Sequence, residues 1–387
     1  MGRLLLAILG KYILDESNEE SDDDDMTQWT RREYPKSEID RQASSLIPWW
    51  NDKGEPANDD IGKAYAVIQN WRNSHALPLL TFRMGLTKRA RKVEQNVIIA
   101  QRLKRFVSIL NKLSREPTMK ISQMQDLGGC RAIFHRIDSV IKVADFYREA
   151  PYASESGLKC YDYIQSPKPD GYRGIHVVGR YRARVEKNEI WNGQRVEIQL
   201  RSQLQHAFAT AVETATTFTQ SQLKSGGGEI KWRRFFALTS SAIAVREGCP
   251  IVPDTPERVD DLVGELRELT RELKVRQLLK GWTDAVKTLP KSTIDKASWL
   301  LLVLDIEGKT IKVTGFTDRK KAGKELSAIE RDTAAQVDAV LVWVSSINKL
   351  KSAYPNYYAD TAAFLSALDF SLGRGNLQRI RNETKAK

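Results

Sequence analysis

Residues 195–200 read Arg-Val-Glu-Ile-Gln-Leu. Strict alternation of polar and apolar residues marks a strand with one buried face, because successive side chains point to opposite sides. Val196, Ile198 and Leu200 form the buried set. Arg195, Glu197 and Gln199 share the other side. Three polar groups on one side of an otherwise buried strand mark a candidate site, against the plainer alternative of a solvated strand face. The strand also requires partners, and the chain offers them: 128–137 and 159–178 are β-rich, and Asn192-Gly193 predicts a tight turn that makes 189–201 a hairpin.

Around these strands the pattern is helical. Residues 27–60 read as polar and irregular, with a short helix near Glu38, and helical spacing dominates 61–113. Residues 202–218 predict another helix. Lys224–Glu229 (KSGGGE) is a breaker. Val259, Leu262, Leu266, Leu269 and Leu273 fall on one helical face. After Ser298 the character changes. A buried strand, a Glu307-Gly308 turn, an alternating strand, a helix near 319–335, the strand Ala339–Val344 and helices near 346–352 and 360–372 form a β-β-α-β-α module. The expected class is α/β (α+β), a mixed sheet flanked by helices, with that small module behind it. The expected divisions are an acidic leader or misassigned start at 1–25, a main unit at 26–252, a helical connector at 253–297 and the module at 298–387.

Charge narrows the partners. The formal net charge is +12. Residues 1–25 hold Arg3 and Lys11 against eight acids, a net of −6, so the remainder carries +18. Such an excess favours polyanions, although a basic protein without one is the bland alternative. No run approaches the roughly 18 apolar residues of a membrane span, and no membrane partner is expected. Three dispersed cysteines, Cys130, Cys160 and Cys249, suit a reducing cytoplasm. There is no G-x-x-x-x-G-K-[ST], G-x-S-x-G or H-E-x-x-H.

Three further stretches carry candidate chemistry. Projected on a helix, 102–115 puts Lys104, Ser108, Lys112 and Arg115 along one face, with Leu103, Phe106, Val107, Leu110 and Leu113 on another. The basic stripe suits a polyphosphate; a merely solvated face is the commoner outcome. Asp126 precedes a turn expected at Gly128-Gly129, after which Arg131 enters an apolar strand. A carboxylate there suits Mg²⁺, and the arginine can stack on a purine. Asp162–Val178 (DYIQSPKPDGYRGIHVV) crowds turn residues together with Lys168, Tyr172, Arg173 and His176, more than a plain surface loop requires. His206 and Glu213 share a helical face, where a packed histidine outweighs a catalytic one.

Taken in order, R-x-K-x-x-x-S-I-x-x-K-L-x-R, D-x-G-G-x-R, D-Y-I-x-x-P-K-x-x-G-Y-R-x-I-H and E-I-Q-x-R resemble the RelA/SpoT-type nucleotide pyrophosphokinases over roughly residues 90–220. The resemblance implies transfer of the β,γ-pyrophosphate of ATP to a ribose hydroxyl, with Mg²⁺ and no zinc. It implies Arg102 and Arg131 about the adenine, and Lys104, Ser108 and Lys112 on the phosphates. It further implies catalysis and metal binding by Asp126 and Glu197, and acceptor binding by Lys168, Tyr172, Arg173 and His176, with Tyr172 stacking on the acceptor base. Gly174 stands where alarmone synthetases usually carry Ser.

The layout of synthetase plus a module without Cys or His after Cys249 is similar to the CapRel-like fused toxin–antitoxins of phage defence, whose last part is a pseudo-zinc-finger domain. That resemblance implies an autoinhibitory Tyr354 and Tyr357, the 3′-CCA end of tRNA as acceptor, a phage structural protein, expected to be capsid, as trigger, and a cytoplasmic protein, expected to be a monomer. The alternatives are a (p)ppGpp or (p)ppApp alarmone synthetase and a non-catalytic RNA-binding or phage-sensing protein.

Overall fold

A computed structural model of the chain describes residues 29–51, 58–149, 157–219, 228–277, 279, 299–305, 310–331, 337–344, 361–373 and 375–385. Its centre is one mixed sheet in the order β3-β4-β5-β2-β1-β8-β6-β7. In chain order the strands are β1 (Ile98–Leu103), β2 (Gly128–Phe134), β3 (Lys159–Asp162), β4 (Ile175–Arg180), β5 (Arg195–Ser202), β6 (Trp299–Asp305), β7 (Thr310–Phe316) and β8 (Val337–Val344). The β2–β5 pair is parallel, and the other pairs are antiparallel.

The helices before and between the first strands are α1 (Lys36–Trp50), α2 (Asn58–Ser74), α3 (Ala76–Val93), α4 (Phe106–Arg115) and α5 (Ile137–Arg148). The alternation in β5 holds. Val196, Ile198 and Leu200 are each no more than 1% exposed and pack with Cys130, Ala132 and Phe134 of β2 against α3 and α5. Fully burying a side chain such as Phe134 is worth about 1.5–3 kcal/mol, so a one-residue slip of register forfeits several such terms at once. The back of the sheet is therefore a packed core, and the odd-numbered residues of β5 are left for the front.

Helix α4 buries Phe106, Ile109, Leu110 and Leu113, at i, i+3, i+4 and i+7, against α1 and α2. Val107, expected in that stripe, is 45% exposed. The helix begins only at Phe106. Residues 98–103, expected to be helical, are strand β1, with Arg102 opposite Gly129. Tertiary pairing overrides the local pattern here, because β2 needs a second neighbour and 98–103 supplies one. The hairpin also differs from expectation. Residues 186–191 form a short 3₁₀ turn whose Trp191 is buried, and β5 pairs with β4 from Ile175–Leu200 to Arg180–Arg195. The Asn192-Gly193 turn is real, with Gly193 at φ +82°.

Helices α6 (Gln203–Thr219), α7 (Gly228–Glu247) and α8 (Val259–Glu272) form a second core with α10 (Ala362–Leu372) and α11 (Asn376–Lys385). Phe364 of α10 lies against Phe235 and Phe236 of α7. Between β7 and β8, α9 (Arg319–Arg331) puts Leu326 on Leu301 and Ala339. The expected boundary at 298 is thus crossed twice, by the α10 and α11 packing and by β8, which pairs with β1 at Ala100–Val344 and Gln101–Trp343. Expected features at 1–25, at 346–352 and at Tyr354 and Tyr357 lie outside the described residues. Among the described residues no helix is long and apolar enough to cross a membrane.

Candidate functional site

Strand register assembles the site. Residues paired straight across a sheet point to the same face. One row runs Lys159, Val178, Glu197, Gly129, Arg102, and the next runs Tyr161, His176, Gln199, Arg131, Ala100. Arg102, Arg131 and Glu197, distant in sequence, thereby come together on the front of the sheet. With Lys104, Asp126, Gly129, Cys130 and Gln199 they line an open cleft of about 400 Å³.

Asp126 and Glu197 are held differently. Lys104 Nζ donates to Asp126 Oδ2 at 2.6 Å, and Lys112 Nζ to Oδ1 at 3.3 Å. Burial pushes the Asp126 carboxyl up, but the two ammonium groups more than offset this and hold it below its ordinary value. Ser108 lies one turn before Lys112 on α4, half-buried. The stripe expected along one helix is therefore split. Lys104 sits in the turn between β1 and α4 and converges with Lys112 on one carboxylate, while Arg102 belongs to the sheet.

Glu197, 9% exposed, belongs to a closed ring of hydrogen bonds. Its Oε1 lies 2.9 Å from His176 Nδ1, and His176 Nε2 lies 2.5 Å from the Tyr172 hydroxyl. Arg201 Nη2 donates to that hydroxyl at 2.6 Å and to Gln199 Oε1 at 3.1 Å. Gln199 Nε2 returns to Glu197 Oε2 at 2.7 Å. Burial raises the Glu197 carboxyl, the hydrogen bond and charge of His176 lower it, the nearby Asp126 raises it, and the balance is a lowered value. Both carboxyls are therefore ionised at neutral pH, and Glu197 feels the charge of Asp126 across the cleft.

Tyr172 is anchored from behind. Gly171 adopts φ +86°, and a Cβ there would lie 2.9 Å from Ser240 Cβ and 3.0 Å from the Phe208 ring, so only glycine lets this loop seat on α6 and α7. Ser240 Oγ donates to the Gly171 carbonyl at 2.6 Å and accepts from Arg173 Nε at 2.9 Å. Arg173, expected at the acceptor, is 2% exposed. It points into the core beneath the loop and also donates to the Ile164 carbonyl at 3.3 Å. Burial lowers its guanidinium to about 10. The reason is positional: in a loop that turns at Gly171, the side chain after Tyr172 faces the opposite way, into the α7 layer.

Lys168 remains exposed, its Nζ 4.5 Å from the Tyr163 ring centroid and 5.3 Å from that of Tyr172. Arg201 was not among the expected site residues, although the period of two that joins Glu197 to Gln199 reaches it. Tyr161, on β3, and Tyr163, one residue past its end, were likewise passed over, and their i, i+2 spacing carries the same signal.

Two carboxylates in one cleft suit a Mg²⁺ ion that completes its shell with phosphate oxygens and water. Among the described residues no group of three or more His, Cys, Asp or Glu is disposed to hold a metal by itself.

Known proteins bear on this geometry. Residues 101–222 match the family model described as "Region found in RelA / SpoT proteins". The GTP pyrophosphokinase YwaC of Bacillus subtilis (strain 168) is 29% identical over 130 residues, covering 29% of this chain and 59% of that protein, so the chain spans about three fifths of the relative. Two solved structures are also similar. Small alarmone synthetase 1 of Bacillus subtilis bound to its product pppGpp shares 22% identity over 46% of this chain and 92% of its own, with a TM-score of 0.35. Small alarmone synthetase 2 of the same organism shares 20% identity over 47% and 94%, with a TM-score of 0.38. Every residue that lines the cleft lies within the matched residues 101–222.

Proposed function

We propose that this chain is a pyrophosphokinase that uses ATP and Mg²⁺, that its acceptor is the 3′-CCA end of tRNA, and that it acts as a self-inhibited toxin released when a phage structural protein, in this reading capsid, binds its C-terminal part. The observation that carries the reading is the cleft itself: Arg102, Lys104, Lys112 and Arg131 face Asp126 and Glu197 there, leaving two net positive charges for a polyphosphate. Arg102 and Arg131 stand diagonally on neighbouring strands. That places their Cα atoms roughly 7–8 Å apart, close to two stacking spacings of about 3.4 Å, which suits a purine held between guanidinium planes.

Asp126 and Glu197 would hold Mg²⁺, and the ion would supply charge neutralisation on the phosphates. Lys104 and Lys112, which now pair with Asp126, then turn to phosphate oxygens together with Ser108. The acceptor ribose oxygen bonds to the β-phosphorus, the bond from that phosphorus to the α,β-bridging oxygen breaks, and AMP departs with that oxygen. Glu197, ionised and oriented by His176 and Gln199, takes the hydroxyl proton. Lys168 and Tyr172 border the acceptor side. The +18 charge of residues 26–387 supports an RNA acceptor. The β1–β8 seam, next to Arg102, supports coupling between the C-terminal strands and the cleft.

ATP labelled at its γ-phosphate, offered together with GDP, AMP and tRNA, tests the reading. Label on tRNA is the expected result, with a gain in Tyr354→Ala and Tyr357→Ala variants. Label on GDP or AMP alone establishes the second reading, an alarmone synthetase, which the name of the Bacillus subtilis relative favours. A parent and variants that label nothing leave the non-catalytic reading.

A further inference from the structure

We infer that the front of the sheet beyond Glu197, towards β3, is a track for the single-stranded end of a polynucleotide acceptor, with Tyr161 and Tyr163 as its base platform and Arg180, Arg195 and Lys159 as its phosphate contacts. The inference rests on the reading of the cleft as a pyrophosphate-transfer site with an RNA acceptor, and it names what lies next to the acceptor nucleotide.

The two tyrosines are two residues apart at the terminal described strand of the sheet. Their rings are nearly parallel, with centroids 6.3 Å apart and planes 6° apart. Tyr163 meets His176 edge-on at 5.2 Å and Tyr172 at 5.9 Å, so the platform is continuous with the ring of hydrogen bonds at Glu197. Tyr172 is poorly placed to be the only stacking surface. Its hydroxyl is tied to His176 and Arg201, and the Arg201 guanidinium carbon and Lys168 Nζ lie 5.0 and 5.3 Å from its ring centroid. Lys168 Nζ also lies over Tyr163, 4.5 Å from its centroid, so the half-buried Tyr161 ring supplies the main surface for a base.

The charges fit a phosphodiester. Arg180 and Arg195 stand directly opposite each other on β4 and β5. Like charges in that position destabilise a sheet unless an anion joins them. Arg195 donates to the Gln123 carbonyl at 2.7 Å, and neither arginine is ion-paired with a carboxylate among the described residues. Burial lowers the Arg195 guanidinium, and the charge on Arg180 adds to it. Lys159 is exposed in the same row as Glu197. Arg195 lies two residues along β5 from Glu197, roughly 7 Å, and Lys159 two strands across, roughly 10 Å. Both are within reach of the nucleotide that precedes the acceptor. A free mononucleotide can offer its own phosphates to these cations but has no second base for the tyrosine platform; a polynucleotide end has both.

The test is fluorescence anisotropy of a labelled single-stranded RNA ending in CCA, titrated with the full chain. Tyr161→Ala is expected to weaken binding about tenfold, and Tyr161→Phe, which keeps the ring, to restore it. Arg180→Ala and Arg195→Ala are each expected to shallow the slope of log affinity against log salt by roughly 0.7. Binding of a non-hydrolysable ATP analogue, at the opposite end of the face, checks the fold of every variant. If Tyr161→Ala fails that check, Tyr161→Leu replaces it. RNA affinity and salt slope unchanged in all folded variants overturn the track. Label transfer by the parent separates this from the function: transfer to tRNA with unaffected RNA binding keeps the function and removes the track, whereas ring- and charge-dependent RNA binding with transfer only to GDP keeps the track and removes the tRNA acceptor.

Discussion

The two ends of the sheet obey the same backbone rules and serve different ends. From β3 to β1 the strands bury one face and arm the other: Lys159, His176, Glu197, Gln199, Arg131 and Arg102 all stand on the front. From β8 to β7 the chain continues the sheet, pairing β6 with β8 from Trp299–Trp343 to Asp305–Val337, and packs Leu301 and Ala339 under Leu326 of α9. No comparable convergence of carboxylates and cations occurs there among the described residues. The seam between the halves is short, Ala100 with Val344 and Gln101 with Trp343, whereas β1 and β2 pair from Ile98–Ile133 to Leu103–Gly128. A sheet can thus be continuous in hydrogen bonding and discontinuous in chemistry, with its short join one residue from a cleft arginine.

The largest effect that sharpens this contrast comes from Glu197→Gln. The substitution keeps the shape and the Gln199 neighbour but removes the carboxylate proposed as the base. The proposed pyrophosphate transfer is expected to fall roughly 100- to 10,000-fold, with the thermal midpoint nearly unchanged, because the packed back face of β5 is untouched. Activity measured with saturating ATP checks it. An activity loss matched by unfolding would mean that the front of the sheet is structural and would erase the difference between the halves.

Leu301→Ala is the counterpart at the other end. Leu301 is 1% exposed, and truncation of such a leucine costs about 2–5 kcal/mol. With so short a seam, the loss is expected to stay local. Hydrogen exchange should speed up in β6, β7 and β8 and leave β2 and β5 protected. Uniform loss of protection would show that the halves fold as one unit and that the seam is stronger than its length.

How much of this was open to sequence reading follows from the same contrast. The back-face alternation of β5 and the β-rich stretch from Gly128 are local patterns, and they hold, whereas the turn expected at Gly128-Gly129 does not, because both glycines are already paired in β2. Strand β1 was hidden because residues 98–103 blend into helical spacing on both sides, and only pairing with β2 and β8 makes them a strand. Arg173 failed for a related reason. Its chemistry suits an anion, but its direction depends on the turn at Gly171 and on Ser240, 67 residues away. Side-chain identity is local, whereas the face it ends up on is set by register and by long-range packing.

The smallest effect concerns acid. Asp126 is ordered by Lys104 and Lys112, which hold its carboxyl below the ordinary value in spite of burial. A carboxyl depressed in the folded state binds its proton first in the unfolded chain. Its contribution to stability is therefore full above the unfolded value and disappears as pH falls through the folded one. The thermal midpoint should decline as pH drops below about 4, and Asp126→Asn should flatten that decline while leaving the two ammonium groups uncompensated at neutral pH. The midpoint measured from neutral to acid pH in both proteins decides it. If the decline is equally steep in Asp126→Asn, the ion pairs that order the cleft contribute nothing to folding, and the armed half of the sheet rests on its apolar back alone, as the C-terminal half does.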